Sequence, residues 1–81
     1  MTAYLHIGGQ HVVLRSAVAG IFDIDNTTSS KATRGLLAAA EKNGEVINAA
    51  EDIPRSFVLC EEGGRKRVYL SQLSPAALSR R

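Results

Sequence analysis

The sequence predicts an α+β fold: a small antiparallel sheet of two hairpin-rich halves around one central helix, followed by a short C-terminal helix. Short β-type runs occur in pairs on both sides of a central segment, and glycine pairs separate the runs within each pair. The central segment carries one apolar stripe of helical period. With 81 residues and no internal repeat, residues 1–81 are expected to form one domain.

The N-terminal third predicts three strands. Two short β-type runs, residues 4–7 and 11–15, are separated by Gly8, Gly9 and Gln10, which is typical of a tight hairpin turn. A third run, residues 18–22, follows almost at once. All three are short, as expected for a small sheet.

The central helix is predicted over residues 31–43. Asn, Thr and Ser residues between positions 25 and 30 favour a turn and a helix N-cap, because their side chains accept hydrogen bonds from exposed backbone N–H groups. Gly44 stands where a left-handed C-terminal cap is expected. The expected apolar stripe consists of Ala32, Leu36, Leu37, Ala39 and Ala40.

The C-terminal part predicts a second hairpin and the short helix. After a short strand at residues 45–48, strands at 56–60 and 67–71 are expected to be joined by a turn over residues 61–66. Ser74 as N-cap and Pro75 at the first helical position predict a helix over residues 75–80.

Composition restricts the class of protein. The net charge of +2 and the pI near 9.0 indicate a mildly basic chain. The single cysteine, Cys60, excludes an internal disulfide and zinc sites built on paired cysteines. No leader-like segment or run of eighteen apolar residues is present, so we expect a cytoplasmic protein without a membrane partner. We also expect no cofactor.

One short motif resembles an enzyme. An apolar run ends in Asp23-Ile24-Asp25-Asn26-Thr27, the D-x-D-x-T pattern of haloacid dehalogenase-type phosphatases. In that chemistry Asp23 is the nucleophile and Asp25 the acid/base. The chain is too short for the doubly wound core that such enzymes need, so we interpret the motif as a strand-to-helix turn that caps the central helix. We expect no catalytic residues.

Three other features each allow two interpretations. His6 and His11 flank the first turn as a metal pair would, but without a third ligand they are more typical of packing or hydrogen bonding. Cys60 lies in an apolar strand, which favours a buried thiol over a nucleophile. The basic run Arg65-Lys66-Arg67, expected at the tip of the second hairpin, is either a solvated turn or a phosphate contact.

Several segments together carry a resemblance to a known family. Their order and spacing resemble the RemA/RemB family of small bacterial extracellular matrix regulators, closest to the RemB branch, over nearly the whole chain. The segments are Y-L-H-I-G-G, G-I-F-D-I-D-N-T-T, E-K-N-G-E-V-I-N, E-D-I-P-R-S-F-V-L, V-Y-L-S-Q-L-S and S-R-R at the end.

The resemblance implies a non-enzymatic transcriptional regulator. In this family the RemA branch binds DNA, forms ring-shaped homo-oligomers and activates genes for biofilm matrix and osmoprotection. The resemblance implies DNA contacts by Arg34 and Lys31 near the start of the helix and by Arg55 at the place of an arginine-rich turn, with Arg15 nearest to a basic residue at the end of the second strand. The implied partners are double-stranded DNA, contacted mainly at its phosphates, further copies of the chain, and a related regulator.

A second function stays open. The turn that carries Arg55 also contains Glu51 and Asp52, whose charges repel phosphate. An oligomeric scaffold that binds a protein partner, with little or no DNA binding, is therefore the alternative. Within the DNA-binding hypothesis, a ring is favoured over a monomer, because one copy offers too few phosphate contacts for useful affinity at cellular salt.

Overall fold

The computed structural model describes residues 3–24 and 31–80. Within them the order of elements is the predicted β-β-β-α-β-β-β-α, and the α+β class is confirmed. A single 3₁₀ turn, Arg15–Ala17, follows the second strand, so Arg15 lies just beyond that strand instead of ending it. The elements are β1 Tyr4–Gly8, β2 His11–Leu14, β3 Val18–Asp23, α1 Lys31–Lys42, β4 Val46–Asn48, β5 Ser56–Glu62, β6 Arg65–Ser71 and α2 Pro75–Ser79.

The strands form two sheets. β1 and β2 pair as an antiparallel hairpin, and the other strands form a sheet in the order β3-β5-β6-β4. One pair departs from the expected antiparallel pattern, since β4 runs parallel to β6. The physical reason is the helix between β3 and β4, which carries the chain back along the sheet so that β4 enters in the same direction as β3.

The four-stranded sheet is the middle layer. On one face, Phe57 and Val68 are buried against Ala40 of α1, with Leu36 and Leu37 packed around them. The side chains that alternate with these point to the opposite face, where a second buried cluster joins the sheet to the β1–β2 hairpin and α2. That cluster contains Leu5, Ile7, Val13, Ala17, Ala49, Val58, Cys60 and Leu78.

The central helix is nearly as predicted. It ends at Lys42, one residue early, and Gly44 has the left-handed φ of 69° expected at its C-terminal cap. The expected stripe is only partly right, because Ala32 and Ala39 are exposed. The helical period brings half-buried Thr33 to the sheet instead. The predicted N-cap cluster at positions 25–30 lies outside the described residues.

The second hairpin is tighter than expected. Gly63 and Gly64, with φ of 59° and 79°, alone make the turn between β5 and β6. Two successive positive φ values are typical of a type I′ turn, which continues the twist of the flanking strands. The prediction of a turn over residues 61–66 was therefore wrong, and the basic run at 65–67 belongs to β6.

One buried hydroxyl group joins the two sheets, and a second holds the segment after β6 against β5. Ser71 Oγ donates a hydrogen bond to Ile7 O at 2.6 Å and accepts one from Leu73 N at 3.1 Å. Ser56 Oγ donates to Leu73 O at 2.7 Å. Gly8 lies so close to β4 that a Cβ there would be 2.8 Å from Ala49 O. These contacts fix the β1–β2 turn at the end of the sheet where β5 begins.

The short C-terminal helix is capped as predicted. Ser74 Oγ accepts a hydrogen bond from Ala77 N at 3.1 Å, which confirms the predicted N-cap of α2.

Candidate nucleic-acid interface

Arg55 lies on a fixed backbone at one end of the four-stranded sheet. We call this end, where β3 finishes and β5 begins, the loop end. The Arg55 N–H donates to Ser71 O at 2.8 Å, and Arg55 O accepts from Ile24 N at 3.1 Å. The side chain of Arg55 is exposed. The two hydrogen bonds thus present the guanidinium from a position that is anchored to both β3 and β6.

The start of α1 lies at the same end. Its last turn is at the opposite end of the sheet, because Asn43 borders one groove with Gly64 and Lys66. Near the loop end, Ile24 packs into the core cluster that contains Leu36 and Leu37. Lys31 and Arg34, one helical turn apart, are both exposed. The structure therefore brings Lys31, Arg34 and Arg55 to one end of the sheet.

Arg15 is separate from these three residues. It begins the 3₁₀ turn after β2, where its N–H donates to Ala3 O at 2.8 Å. Its half-buried side chain borders a depression beside Leu78 and Ser79 of α2, on the face of the sheet opposite α1. This position precedes β3, whereas Arg55 adjoins the end of that strand. A six-residue strand spans about 17–20 Å, so Arg15 contributes to a different surface.

The acidic residues before Arg55 lie in a loop, residues 51–53, which we call the acidic loop. The Glu51 N–H donates to Gln72 Oε1 at 2.9 Å, and Asp52 Oδ1 accepts from the Ile53 N–H at 2.8 Å. The Glu51 carboxylate leans towards the β1–β2 turn, where its Oε1 is 3.5 Å from the position of a Cβ on Gly9. Asp52, Ile53, Arg55 and Gln72 border one shallow depression.

The basic run on β6 is matched by acidic residues on β5. The strand register places Glu62 opposite Arg65 and Glu61 opposite Lys66, whereas Arg67 is opposite Cys60. Opposite charges across an antiparallel pair attract each other and reduce the net positive charge of the hairpin. The sequence interpretation missed this pairing, because it assigned these residues to a loop. A two-residue Gly-Gly turn is the signal in the sequence that reveals it.

The residues considered for metal or nucleophilic chemistry are separate in the structure. His6 Nε2 donates to Gly9 O at 2.7 Å, while the ring of His11 lies 6.4 Å from that of Tyr69. Burial raises the pKa of the Cys60 thiol, and the charge of Glu62 raises it further. Among residues 3–24 and 31–80, no three His, Cys, Asp or Glu side chains are placed to hold one metal ion. Asp25 of the phosphatase-like motif lies outside these residues.

The amino-acid sequence matches a known protein family over nearly its whole length. Residues 4–81 match the family described as RemA-like, extracellular matrix regulatory protein A-like. The chain belongs to this family. The match confirms the predicted relationship over nearly the whole chain but does not resolve a RemB-like branch within the RemA-like family. No curated protein matches the chain.

The RemA-like family is named for regulation of the extracellular matrix, which fits a regulator. In the part of the chain that the structure describes, no helix is both long and apolar enough to cross a membrane. The candidate surface for binding a partner consists of the basic residues at the loop end and the acidic loop beside them.

Proposed function

We propose that this RemA-like protein is a non-enzymatic, homo-oligomeric regulator of transcription, ring-forming and cytoplasmic, that binds double-stranded DNA through its phosphates. The observation that carries the proposal is the common position of Lys31, Arg34 and Arg55 at the loop end. Exposed lysine and arginine side chains on well-anchored elements are the groups that most often contact phosphate oxygens. Arg15 supplies a second, separate contact surface.

The number of contacts argues for assembly. Three neighbouring cations on one copy give only a few phosphate contacts, and such binding weakens steeply with salt. When copies are linked in one assembly, each added contact forms at high effective concentration, so the affinity of the whole greatly exceeds that of one copy. DNA bent along the assembly is then selected by its shape and deformability with few base contacts.

The test compares wild-type protein with Arg34→Ala/Arg55→Ala in titrations of an A-T-rich duplex and a random duplex at two salt concentrations. We expect the double variant to bind both duplexes at least about tenfold more weakly at low salt. The slope of log affinity against log salt is expected to shrink by about 0.9 for each phosphate that the variant no longer neutralises.

A matched control removes the same charge elsewhere. Lys42 at the end of α1 and Lys66 on β6 are exposed residues at the opposite end of the sheet. Lys42→Ala/Lys66→Ala should bind DNA within a factor of about three of wild type, since long-range effects of surface charge are screened. Equal losses in the two double variants would contradict a specific interface and indicate attraction by net charge alone.

One observation favours the alternative of a protein-binding scaffold. Ile53 is 78% exposed and lies in the acidic loop beside Arg55, and an exposed aliphatic residue is more typical of protein contacts than of phosphate contacts. For a scaffold, the protein should retain a partner, such as a related regulator, at high salt and fail to shift DNA at low salt. A DNA shift that Arg34→Ala/Arg55→Ala abolishes selects the DNA-binding function.

A further inference from the structure

The large apolar side chains that are exposed in the described residues occur in two places. Tyr4 and Val12, 57% and 51% exposed, lie on the outer part of the β1–β2 hairpin, and Ile53, 78% exposed, lies in the acidic loop. Exposing such side chains to water is unfavourable, and clusters of them with charged neighbours mark interaction sites. Tyr4 and Val12 are separate from the basic residues of the proposed DNA interface, whereas Ile53 borders one shallow depression with Arg55.

Tyr4 and Val12 border a groove between the β1–β2 hairpin and the outer half of the β5–β6 hairpin. Its volume is about 320 Å³. Arg65 and Arg67 line it from β6 and Glu62 lines it from β5, so these three charges leave it net positive. We call it the tip groove. It combines an apolar wall with two guanidinium groups.

The acidic loop has the complementary character. Glu51 and Asp52 are exposed and carry negative charge directly beside the exposed Ile53. An aliphatic side chain flanked by two carboxylates is suited to a groove with an apolar wall and two arginines, because the apolar part is desolvated while each carboxylate approaches a guanidinium. The two surfaces are thus complementary in both polarity and charge.

The two surfaces lie at opposite ends of the sheet. The acidic loop adjoins the start of β5, since Arg55 is bonded to Ser71 at the end of β6. The tip groove is formed where β5 ends and β6 begins. Strands of seven residues separate these ends by about 20 Å. A loop fixed at one end cannot fill the groove of its own chain, but it can fill that of a neighbour.

We propose that the acidic loop of one copy docks into the tip groove of the next, with Ile53 against Tyr4 and Val12 and the two carboxylates against Arg65 and Arg67. This inference rests on the homo-oligomer of the proposed function and identifies its contact surfaces. Because the two surfaces differ, the contact is head-to-tail and repeats from copy to copy, so it gives a ring when the rotation closes and a filament when it does not.

The contact also explains how Arg55 tolerates its acidic neighbours. In the assembly, Glu51 and Asp52 face guanidinium groups of the adjacent copy, which offset their repulsion of phosphate. Arg55 remains at the edge of the contact, two residues beyond Ile53. DNA binding and assembly are then linked, because only assembled copies have these carboxylates neutralised.

Charge reversal tests the contact in the absence of DNA. In Glu51→Lys/Asp52→Lys both surfaces are basic, and in Arg65→Glu/Arg67→Glu both are acidic. Each variant alone should dissociate to smaller species by light scattering, with assembly weakened at least about tenfold because like charges face each other. An equimolar mixture should reassemble into large species, since each loop then meets a groove of opposite sign; a closed ring of alternating variants forms only with an even number of copies.

Matched controls separate the contact from general charge and folding effects. Lys66→Glu changes the same strand on its other face, and Glu41→Lys changes an exposed site on α1; both should keep the wild-type mass. Circular dichroism verifies folding. Since Arg65→Glu faces Glu62, the single change Arg67→Glu, which faces Cys60, replaces the double variant if that unfolds.

The outcomes distinguish this inference from the proposed function. Variants that keep the wild-type mass, or that dissociate but do not reassemble on mixing, overturn the loop-in-groove contact, although an oligomer that binds DNA would still support the proposed function. A wild-type protein that is monomeric at all concentrations tested overturns both. Reassembly into large species only in the mixture supports the contact.

Discussion

The two ends of the four-stranded sheet carry basic residues in very different settings. At the loop end, Arg55 is held by backbone hydrogen bonds to Ser71 and Ile24, and buried hydroxyl groups lie directly behind it. At the hairpin-tip end, residues 61–67 are all exposed, and most of the basic side chains lie opposite glutamates on the neighbouring strand. The loop end has few cations on a backbone that is held by hydrogen bonds. The hairpin-tip end has many charged side chains, and all of them are exposed.

The comparison shows that a dense run of charge in a sequence is a poor guide to an electrostatic surface. Arg65-Lys66-Arg67 is the densest basic run in the chain, yet strand pairing places Glu61 and Glu62 opposite two of its members. Arg55 stands alone in its segment but shares the loop end with Lys31 and Arg34 of α1. Cross-strand and tertiary neighbours decide which charges remain available to a partner.

The largest difference between the ends is expected in stability. Phe57 is fully buried near the loop end and stacks on Phe22 with ring centroids 4.9 Å apart. Phe57→Ala should lower the free energy of unfolding by about 3–5 kcal/mol, because it removes apolar contacts and leaves a cavity. Urea denaturation measures this. Lys66→Ala at the other end should change it by less than about 1 kcal/mol, and comparable losses would refute the contrast.

The buried hydroxyl of Ser71 should have the next largest effect. Ser71→Ala leaves Ile7 O without this donor at a site where the serine is fully buried, so the free energy of unfolding should fall by about 1–3 kcal/mol. Thermal and urea unfolding measure the loss. Amide exchange of the β1–β2 hairpin should also quicken. Unchanged exchange would mean that this bond does not hold the two sheets together.

The buried thiol of Cys60 makes the free energy of unfolding depend on pH in the alkaline range. Because its pKa is raised from 9.0 in the folded protein, the thiol ionises first in the unfolded chain. The cysteine term in the free energy of unfolding is therefore nearly constant well below pH 9 and falls as the pH rises through 9, by at most about 1.4 kcal/mol per pH unit between the two pKa values. Urea unfolding of wild type and Cys60→Ala from pH 7 to 10 measures the difference in stability, which should be constant near pH 7 and change as the pH rises through 9.

The smallest expected effect is the contribution of a single cross-strand charge pair to the free energy of unfolding. Glu61 and Lys66 face each other on β5 and β6. A double-mutant cycle with Glu61→Gln and Lys66→Gln should give a coupling energy below about 1 kcal/mol that decreases as salt is added. The same cycle on Glu61 and Lys31, which lie at opposite ends of the sheet, provides the control. Equal coupling in both cycles would show that the register pairing does not matter.

Much of the fold was predictable because its signals are local. Gly63-Gly64, Gly44 and Ser74 each mark a boundary through backbone preferences that neighbouring residues do not change, and all three lie at the boundaries observed. The parallel pairing of β4 with β6 was not predictable from the three residues of β4. The direction of that strand depends on the end of the sheet at which α1 finishes. The same holds for the candidate site residues. The sequence shows which residues are basic, but it does not show which of them lie close together in the fold.

The sequence by itself therefore determined the order of elements, the turn of the first hairpin, the family and the list of basic residues. These depend on dihedral preferences, periodicity and residue spacing, which a single chain segment expresses on its own. Only the tertiary structure decided that Arg55 joins the start of α1 while Arg15 lies elsewhere, and that Glu61 and Glu62 face the basic run. The reason is that strand register and sheet order bring together residues far apart in the chain, and electrostatic interactions depend on distance in space.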